Sequence, residues 1–295
     1  MLARMTQSDL AVVVASVNGL PYTAECLAAL DRYCPGAEVV LAEWTDAATR
    51  RLVHEQWPGV RLLSFDEPRS VPELRAAGIA ATTAPYVAVI EDHCVVTEDW
   101  GRRILAAHTE GHSVVGGGVR NGATGRIRDW AAFLCEYGEH MHPAREGSVS
   151  SLPGMNVSHD RRALAALNGA IRTGYWEARA HPHLRRRGFS LRSDPSIVLE
   201  HVKRFGVREF VLQRFRFGRE YAELRSAELG ALRAIYLLAS PLLVPLLYLR
   251  ITRGVLRRRR HVRELLAATP LVLLYVLAWS CGEAVGYAFA SGVRT

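Results

Sequence analysis

Lysine is almost missing from this chain: Lys203 is the only one among 37 basic residues, a bias that reads as coding composition, not as function. Paired cysteines are missing too. Cys26, Cys34, Cys94, Cys135 and Cys281 are odd in number and contain no CxxC spacing. That argues against a structural zinc site or a secreted disulfide framework and fits a reducing compartment. No GxGxxG turn follows the first predicted strand, where Ser16–Tyr22 reads SVNGLPY. Gly116-Gly117-Gly118 comes too late in the chain to serve, so a dinucleotide oxidoreductase is not expected. The opening stretch from Met1 to Ala11 holds Arg4 and Asp9 and no long apolar core, so no secretory signal is expected. No internal repeat is visible.

What is present is a chain of 295 residues, 49% of them hydrophobic, enough for one sizeable domain and an appendage. The net charge of +8 is unevenly placed. From Leu229 onward nine arginines face only Glu264 and Glu283, a net of +7, which leaves +1 for residues 1–228. The basic residues lie between apolar stretches and not across a domain face, so no nucleic-acid partner is expected.

The first ninety residues alternate. Leu10–Ser16 (LAVVVAS) is a β-branched run with the pattern of a buried parallel strand. Further strands are expected at Glu38–Ala42, Val60–Phe65 and Pro85–Ile90, with helices at Ala24–Tyr33, Ala47–Trp57 and Val71–Ala81. This alternation predicts an α/β domain with a parallel sheet. Ligands of such sheets sit at the carboxyl ends of the strands, where Ser16-Val17-Asn18, Glu43 and Glu91-Asp92-His93 all fall. Later, Ser113–Val119 reads as a strand broken by its glycines, Asp129–Glu139 as a helix, Arg145–Gly154 as a Ser/Gly/Pro loop and Arg161–Leu167 as a helix.

Near Leu229 the character changes. Leu229–Leu249 and Leu265–Ala290 carry one charge each, Arg233 and Glu283, and both are long enough to span a bilayer. Pro241, Pro245 and Pro270 interrupt them. Seven arginines lie in the intervening Arg250–Glu264. The alternative is a helical hairpin packed on soluble protein. The positive-inside rule puts the arginines in the cytoplasm; two full spans would then leave the N-terminal domain outside. A monotopic or re-entrant anchor, its arginines on anionic headgroups, is therefore expected.

Four places carry candidate chemistry. Glu91-Asp92-His93 follows a strand, where acids and an imidazole can hold a divalent cation against a diphosphate; the imidazole favours Mn2+ or a similar metal. A solvated acidic turn is the plainer reading. Glu177 beside Trp176 has the makings of a general base, though taken alone it reads better as a surface glutamate. His201 is placed to ligate metal or phosphate, or to be structural. Gln213–Phe217 (QRFRF) offers arginine forks for phosphate, or a basic amphipathic helix.

Together these segments resemble the family-2 glycosyltransferases of GT-A fold, in particular bacterial membrane-associated members. The resemblance covers roughly residues 9–228, and the tail more loosely. Ala15–Gly19 (ASVNG) resembles the family's P-T-Y-N-R turn, and Ser70–Gly78 (SVPELRAAG) its A-R-N-x-G segment with Arg75 at the arginine. Val89–Trp100 (VIEDHCVVTEDW) resembles the DxD strand end, with Glu91 at the first Asp and His93 at the second. Pro153–Ser158 (PGMNVS) resembles the G-x-N-x-x-x-R acceptor loop. Trp176-Glu177 with Leu184 and Gly188 resembles the E-D…R-L-x-x-x-G helix, which places Glu177 at the catalytic base. Asp194–His201 resembles the segment ending in the late His, Gln213–Phe217 the Q-x-x-R-W signature with Phe217 for Trp, and Ala278–Gly286 (AWSCGEAVG) the G-E-x-x-G membrane segment. In place of the family's D-D-G-S-x-D loop stands Ala42–Asp46 (AEWTD), leaving Glu43 or Asp46 for base recognition.

The resemblance implies a Rossmann-like, mostly parallel sheet flanked by helices in residues 1–228 and a helical membrane hairpin in 229–295. It implies inverting transfer of a sugar from a nucleoside-diphosphate sugar, UDP-linked by expectation, to a hydroxyl of a lipid-linked or cell-envelope glycan. Glu177 is the implied base. Ser16, Asn18, Glu43, Arg75, Glu91 and Asp92 are implied for the donor, and Glu91, His93 and His201 for Mn2+ or Mg2+. Asn156, Gln213 and Arg216 are implied for acceptor or diphosphate. The cell membrane with the catalytic domain facing the cytoplasm is the implied location. The alternative is a GT-A-fold membrane scaffold that has lost activity.

Overall fold

A computed structural model describes residues 6–289 of the chain. The described residues form two compact units, one of residues 6–122 and 142–203, the other of 123–141 and 204–289.

The first unit is built on a nine-stranded mixed sheet among the described residues, in the order Arg61–Ser64, Glu38–Glu43, Leu10–Ser16, Tyr86–Glu91, Val157–Asp160, Val114–Asn121, Leu191–His201 and Cys94–Val96, with Gly147–Val149 also paired to Leu191–His201. Its first half alternates as expected: β1 (Leu10–Ser16), α1 (Tyr22–Tyr33), β2 (Glu38–Glu43), α2 (Ala47–Gln56), β3 (Arg61–Ser64), α3 (Val71–Ala80) and β4 (Tyr86–Glu91). Strands β1 to β4 pair in parallel. All seven residues of β1 are buried, as its unbroken β-branched run requires of a strand covered on both faces. Helix starts are written locally. The Asp46 side chain caps α2 by accepting from Thr49 N at 2.8 Å. Ser70 and Glu73 form a capping box on α3, which directs the following turn.

The second half is less regular and mostly antiparallel: β5 (Cys94–Val96), α4 (Trp100–Thr109), β6 (Val114–Asn121), β7 (Gly147–Val149), β8 (Val157–Asp160), α6 (Arg161–Ala166), α7 (Glu177–Arg186) and β9 (Leu191–His201). The glycines do not break β6. It runs through them, and its pairing with β9 shifts register between Gly117 and Gly118. The expected loop at 145–154 contains β7, which pairs β9 in antiparallel fashion.

The second unit gathers α5 (Ile127–Tyr137), α8 (Val207–Leu229), α9 (Arg233–Ala239), α10 (Leu243–Arg258) and α11 (Val262–Phe289), with short 3-10 turns at Gly230–Leu232 and Ser240–Leu242. Helices α5 and α8 belong with the tail because their apolar faces are covered by it: Phe210 rests edge-on against Tyr275 and Cys135 lies against the Val272 carbonyl. The expected arginine linker of 250–264 is also mostly helix. Only Arg259–His261 separates α10 from α11, with Arg259 and His261 both at positive φ. Gly230–Arg258 and Val262–Phe289 are each long and apolar enough to cross a membrane.

Candidate active site

Parallel pairing sets the carboxyl ends of β1, β2 and β4 level. Ser16 pairs in register with Glu43, and Ala15 with Glu91. The expected residues therefore reach one edge of the sheet, but they do different work there.

Asp92 is fully buried and both its oxygens are engaged. Oδ2 accepts from Ser16 Oγ at 2.8 Å, Val17 N at 3.1 Å and Asn18 N at 2.7 Å, and Oδ1 from Asn18 Nδ2 at 2.7 Å. Burial raises its pKa, but the bonds from His93 and Asn18 outweigh this and hold it below the usual carboxylate range. Asp92 thus knits the turn after β1 to the end of β4. Glu43 is likewise internal. It is fully buried, accepts from Thr45 N at 2.7 Å and Thr45 Oγ1 at 2.6 Å, and is ion-paired to Arg50 at 2.7 Å. With Asp46 capping α2, both acids of the substituted loop serve the fold. A carboxylate this fully committed costs its existing bonds to recruit for a nucleotide base.

Arg75 is the residue that draws the site together. It leaves α3 with only 5% of its surface exposed. Its Nη2 donates to Glu91 Oε1, and its Nη1 to Glu177 Oε2 at 3.1 Å. Burial works against the guanidinium charge, but Glu91 and Glu177 overcome it and raise its pKa. Glu177 is the first residue of α7, and the residues before it are tied down. Tyr175 N donates to Pro72 O at 2.8 Å. Its hydroxyl lies 3.1 Å from His159 Nε2 and 3.5 Å from His181 Nε2. Gly154 lies beneath the pair: a Cβ there would stand 2.7 Å from Glu177 Cδ and 2.8 Å from Arg75 Nη1. Sequence reasoning did not single out Tyr175 for a role; the signal was the Tyr-Trp-Glu run. Gly154 is the glycine of the segment that resembles the acceptor loop.

His93 Nδ1 lies 2.9 Å from Asp92 Oδ1, and its Nε2 lies 3.3 Å from Glu91 Oε2. Burial pulls its pKa down, but Asp92 and Glu91 more than compensate and it ends above the ordinary value. His201 sits opposite Cys94 in the β5–β9 ladder, its ring edge-on to His93 with centroids 4.8 Å apart. Burial, then the neighbouring His93, pushes its pKa well below normal. No three His, Cys, Asp or Glu side chains among the described residues form a cluster able to hold a metal. The expected triad of Glu91, His93 and His201 is therefore not a preformed cage. Glu91 and His93 face one another, and His201 meets His93 edge to ring.

Asn156 is fully buried. It accepts from Trp100 Nε1 at 2.8 Å and donates to Gly118 O at 3.0 Å and Ile197 O at 3.2 Å. It is expected at the acceptor, but its amide is spent on the interior. Gln213 and Arg216 belong to α8 of the second unit. Gln213 Nε2 donates to Glu136 Oε1 at 2.9 Å, and Arg216 is exposed.

An acid and a facing imidazole at the strand ends, joined through one arginine to a second acid at the start of α7, form the candidate site. Residues 11–152 match the family model described as Glycosyl transferase family 2. The chain thus contains a family-2 glycosyltransferase domain and is a glycosyltransferase. Among solved structures it is similar to the mannosyltransferase PcManGT from Pyrobaculum calidifontis in complex with GDP-Man and Mn2+. Identity is 16% and the TM-score 0.56, over 93% of this chain and 86% of that one. No curated protein sequence matches the chain.

Proposed function

We propose that the protein is an inverting glycosyltransferase that takes a sugar from a nucleoside-diphosphate donor, UDP-linked by preference, and passes it to a hydroxyl of a lipid-linked or cell-envelope glycan at the cytoplasmic face of the cell membrane. The observation that carries this is the Glu91–Arg75–Glu177 array at the strand ends. Arg75 holds Glu177 by Oε2, leaving Oε1 to take the proton of an acceptor hydroxyl. A third of the Glu177 side chain is exposed, so the group is reachable. Attack then comes from the face opposite the leaving nucleotide, and the configuration inverts. Arg75 thereby orients the Glu177 carboxylate for the work of a general base.

A divalent cation fits this site as a two-donor arrangement. Glu91 Oε2 and His93 Nε2 already face each other, and Arg75 engages the other oxygen of Glu91. One or two protein donors with the rest supplied by substrate phosphates is the usual way such a cation is held at a phosphate site. When bound, the cation neutralises charge on the leaving diphosphate. The GDP-Man and Mn2+ held by the similar mannosyltransferase support this donor chemistry.

The test is thermal stabilisation of purified full-length protein by UDP, GDP, CDP and TDP, each with and without Mn2+. A ligand at a hundredfold excess over Kd stabilises by about 2.7 kcal/mol. A cation-dependent shift with one nucleotide is expected, and its absence with all four overturns the donor assignment.

A further inference from the structure

The second unit leaves a long apolar surface uncovered. Along the 3-10 turns, α9 and α10, Leu232, Ile235, Leu238, Leu242, Leu246 and Leu249 are all exposed, Leu238 by 82%. They are spaced by three or four residues, which puts them in one stripe on a helical path. The stripe runs into the turn between α10 and α11, where Arg253, Arg257, Arg259, Arg260 and Arg263 are exposed. A wide apolar stripe ending in clustered arginines is the pattern of a helix lying in the plane of an anionic lipid surface.

Two crossings of the bilayer do not fit the packing. Helix α8 runs alongside α11 through direct backbone contact. A Cβ on Gly282 would strike the Phe215 carbonyl, and one on Gly286 the Arg219 carbonyl. Arg214 lies over the Trp279 ring, 4.2 Å from its centroid. Yet α8 exposes Arg208, Glu209, Arg216, Arg219 and Glu220. A crossing α11 would carry these charges to bilayer depth, where each is strongly disfavoured. The arginine turn is also tethered. Arg250 pairs with the Glu139 carboxylate, and Arg258 donates to Gly138 O and Glu139 O. Glu139 is three residues from His142, whose N–H bonds Val119 O in the sheet. Three residues reach about 10 Å, well short of the ~30 Å hydrocarbon core. The chain therefore keeps the arginine turn in the same aqueous compartment as the sheet.

We propose that α9–α11 form a monotopic dock, with the leucine stripe among the acyl chains of one leaflet and the arginine turn on anionic headgroup phosphates. This rests on the membrane association proposed above and narrows the expected monotopic or re-entrant anchor to an in-plane one.

The test is made on the full chain in sealed membrane vesicles, with R257C introduced over a Cys281→Ser background and an epitope tag at the N-terminus. A membrane-impermeant maleimide should label R257C from the side on which the tag is reached. Labelling only after permeabilisation, with the tag already reached, overturns the dock and establishes two spans. Flotation with phosphatidylcholine vesicles, with and without phosphatidylglycerol, tests the lipid side. The double variant L238R/L242R should lose at least about tenfold in vesicle binding. Gln at the five exposed arginines should weaken binding to phosphatidylglycerol vesicles by about fivefold per arginine. Unchanged binding in either variant overturns its half of the dock. A wild type that floats with no vesicle overturns membrane association itself, while the nucleotide response tests the transferase separately.

Discussion

Arg75 Nη1 donates to Glu177 Oε2 at 3.1 Å across 102 positions of sequence. The same guanidinium holds Glu91. One side chain on α3 thus fixes the spacing between the acid at the end of β4 and the acid at the start of α7. A planar fork with several donors suits two carboxylates at once, and an ammonium on a flexible stem does not.

Arg75→Lys is therefore expected to keep the charge and lose the geometry. A misplacement of about 1 Å costs on the order of a hundredfold in rate, and kcat should fall by that order with the melting temperature little changed. Steady-state kinetics beside thermal melts check this; a wild-type kcat in the lysine variant would remove Arg75 from positioning Glu177.

Glu177→Gln keeps the size of the side chain and its contact with Arg75, but takes no proton. General bases contribute about 10²–10⁴ in rate, so transfer should drop within that range while nucleotide-induced stabilisation persists. Transfer near the wild-type rate would assign the base elsewhere.

Much of this was legible in the sequence where contacts are local. The β-branched run of β1, the capping box of α3 and the acids after β4 are written within a few residues. The resemblance to the family placed Glu91, Arg75 and Glu177 in roles that need them close together. What the sequence did not disclose depends on contacts far apart in the chain. Nothing near Asp92 announces that Ser16 and Asn18 engage its oxygens. Glu43 does stand at the end of β2, but its burial with Thr45 and Arg50 is tertiary and is not visible in the local sequence. The grouping of α5 with the tail escaped for the same reason: an amphipathic helix shows which face is apolar, not what covers it.

Asn156 distinguishes the interior role from the acceptor role. Asn156→Ala would leave Trp100 Nε1 and the Gly118 and Ile197 carbonyls without their partner. Each buried orphan costs about 1–3 kcal/mol, so a loss of about 3 kcal/mol or more is expected. Urea denaturation measures it. An unaltered midpoint together with a raised acceptor KM would return Asn156 to the acceptor.

Gly154→Ala is a probe of the acid–arginine pair that adds only one methyl. The added carbon would stand 2.7 Å from Glu177 Cδ and 2.8 Å from Arg75 Nη1, so the pair has to shift. Transfer is expected to fall by tenfold or more, with nucleotide-induced stabilisation kept. Kinetics and melts on the one protein separate these, and an unaffected rate would show that the pair tolerates displacement.

Acid should unfold the first unit through histidines outside the active site. His108 is buried, stacked on Tyr86, and bonded to His112 O at 2.7 Å and Ser158 Oγ at 2.9 Å. Burial pushes its pKa down to about 4. Burial, then His181 and His108, pushes His159 down to about 3. Both pKa values lie below the unfolded value of about 6.5, so below that pH the unfolded chain takes up protons that the folded chain refuses. Stability is then fully present above pH 6.5 and falls as pH drops toward 4. The two histidines together contribute a slope of up to about 3 kcal/mol per pH unit. Melts across that range should show a steep decline beginning near pH 6, shallower in His108→Gln, which cannot take up the proton. A flat profile down to pH 4.5 would mean that these imidazoles find a way to be protonated within the fold.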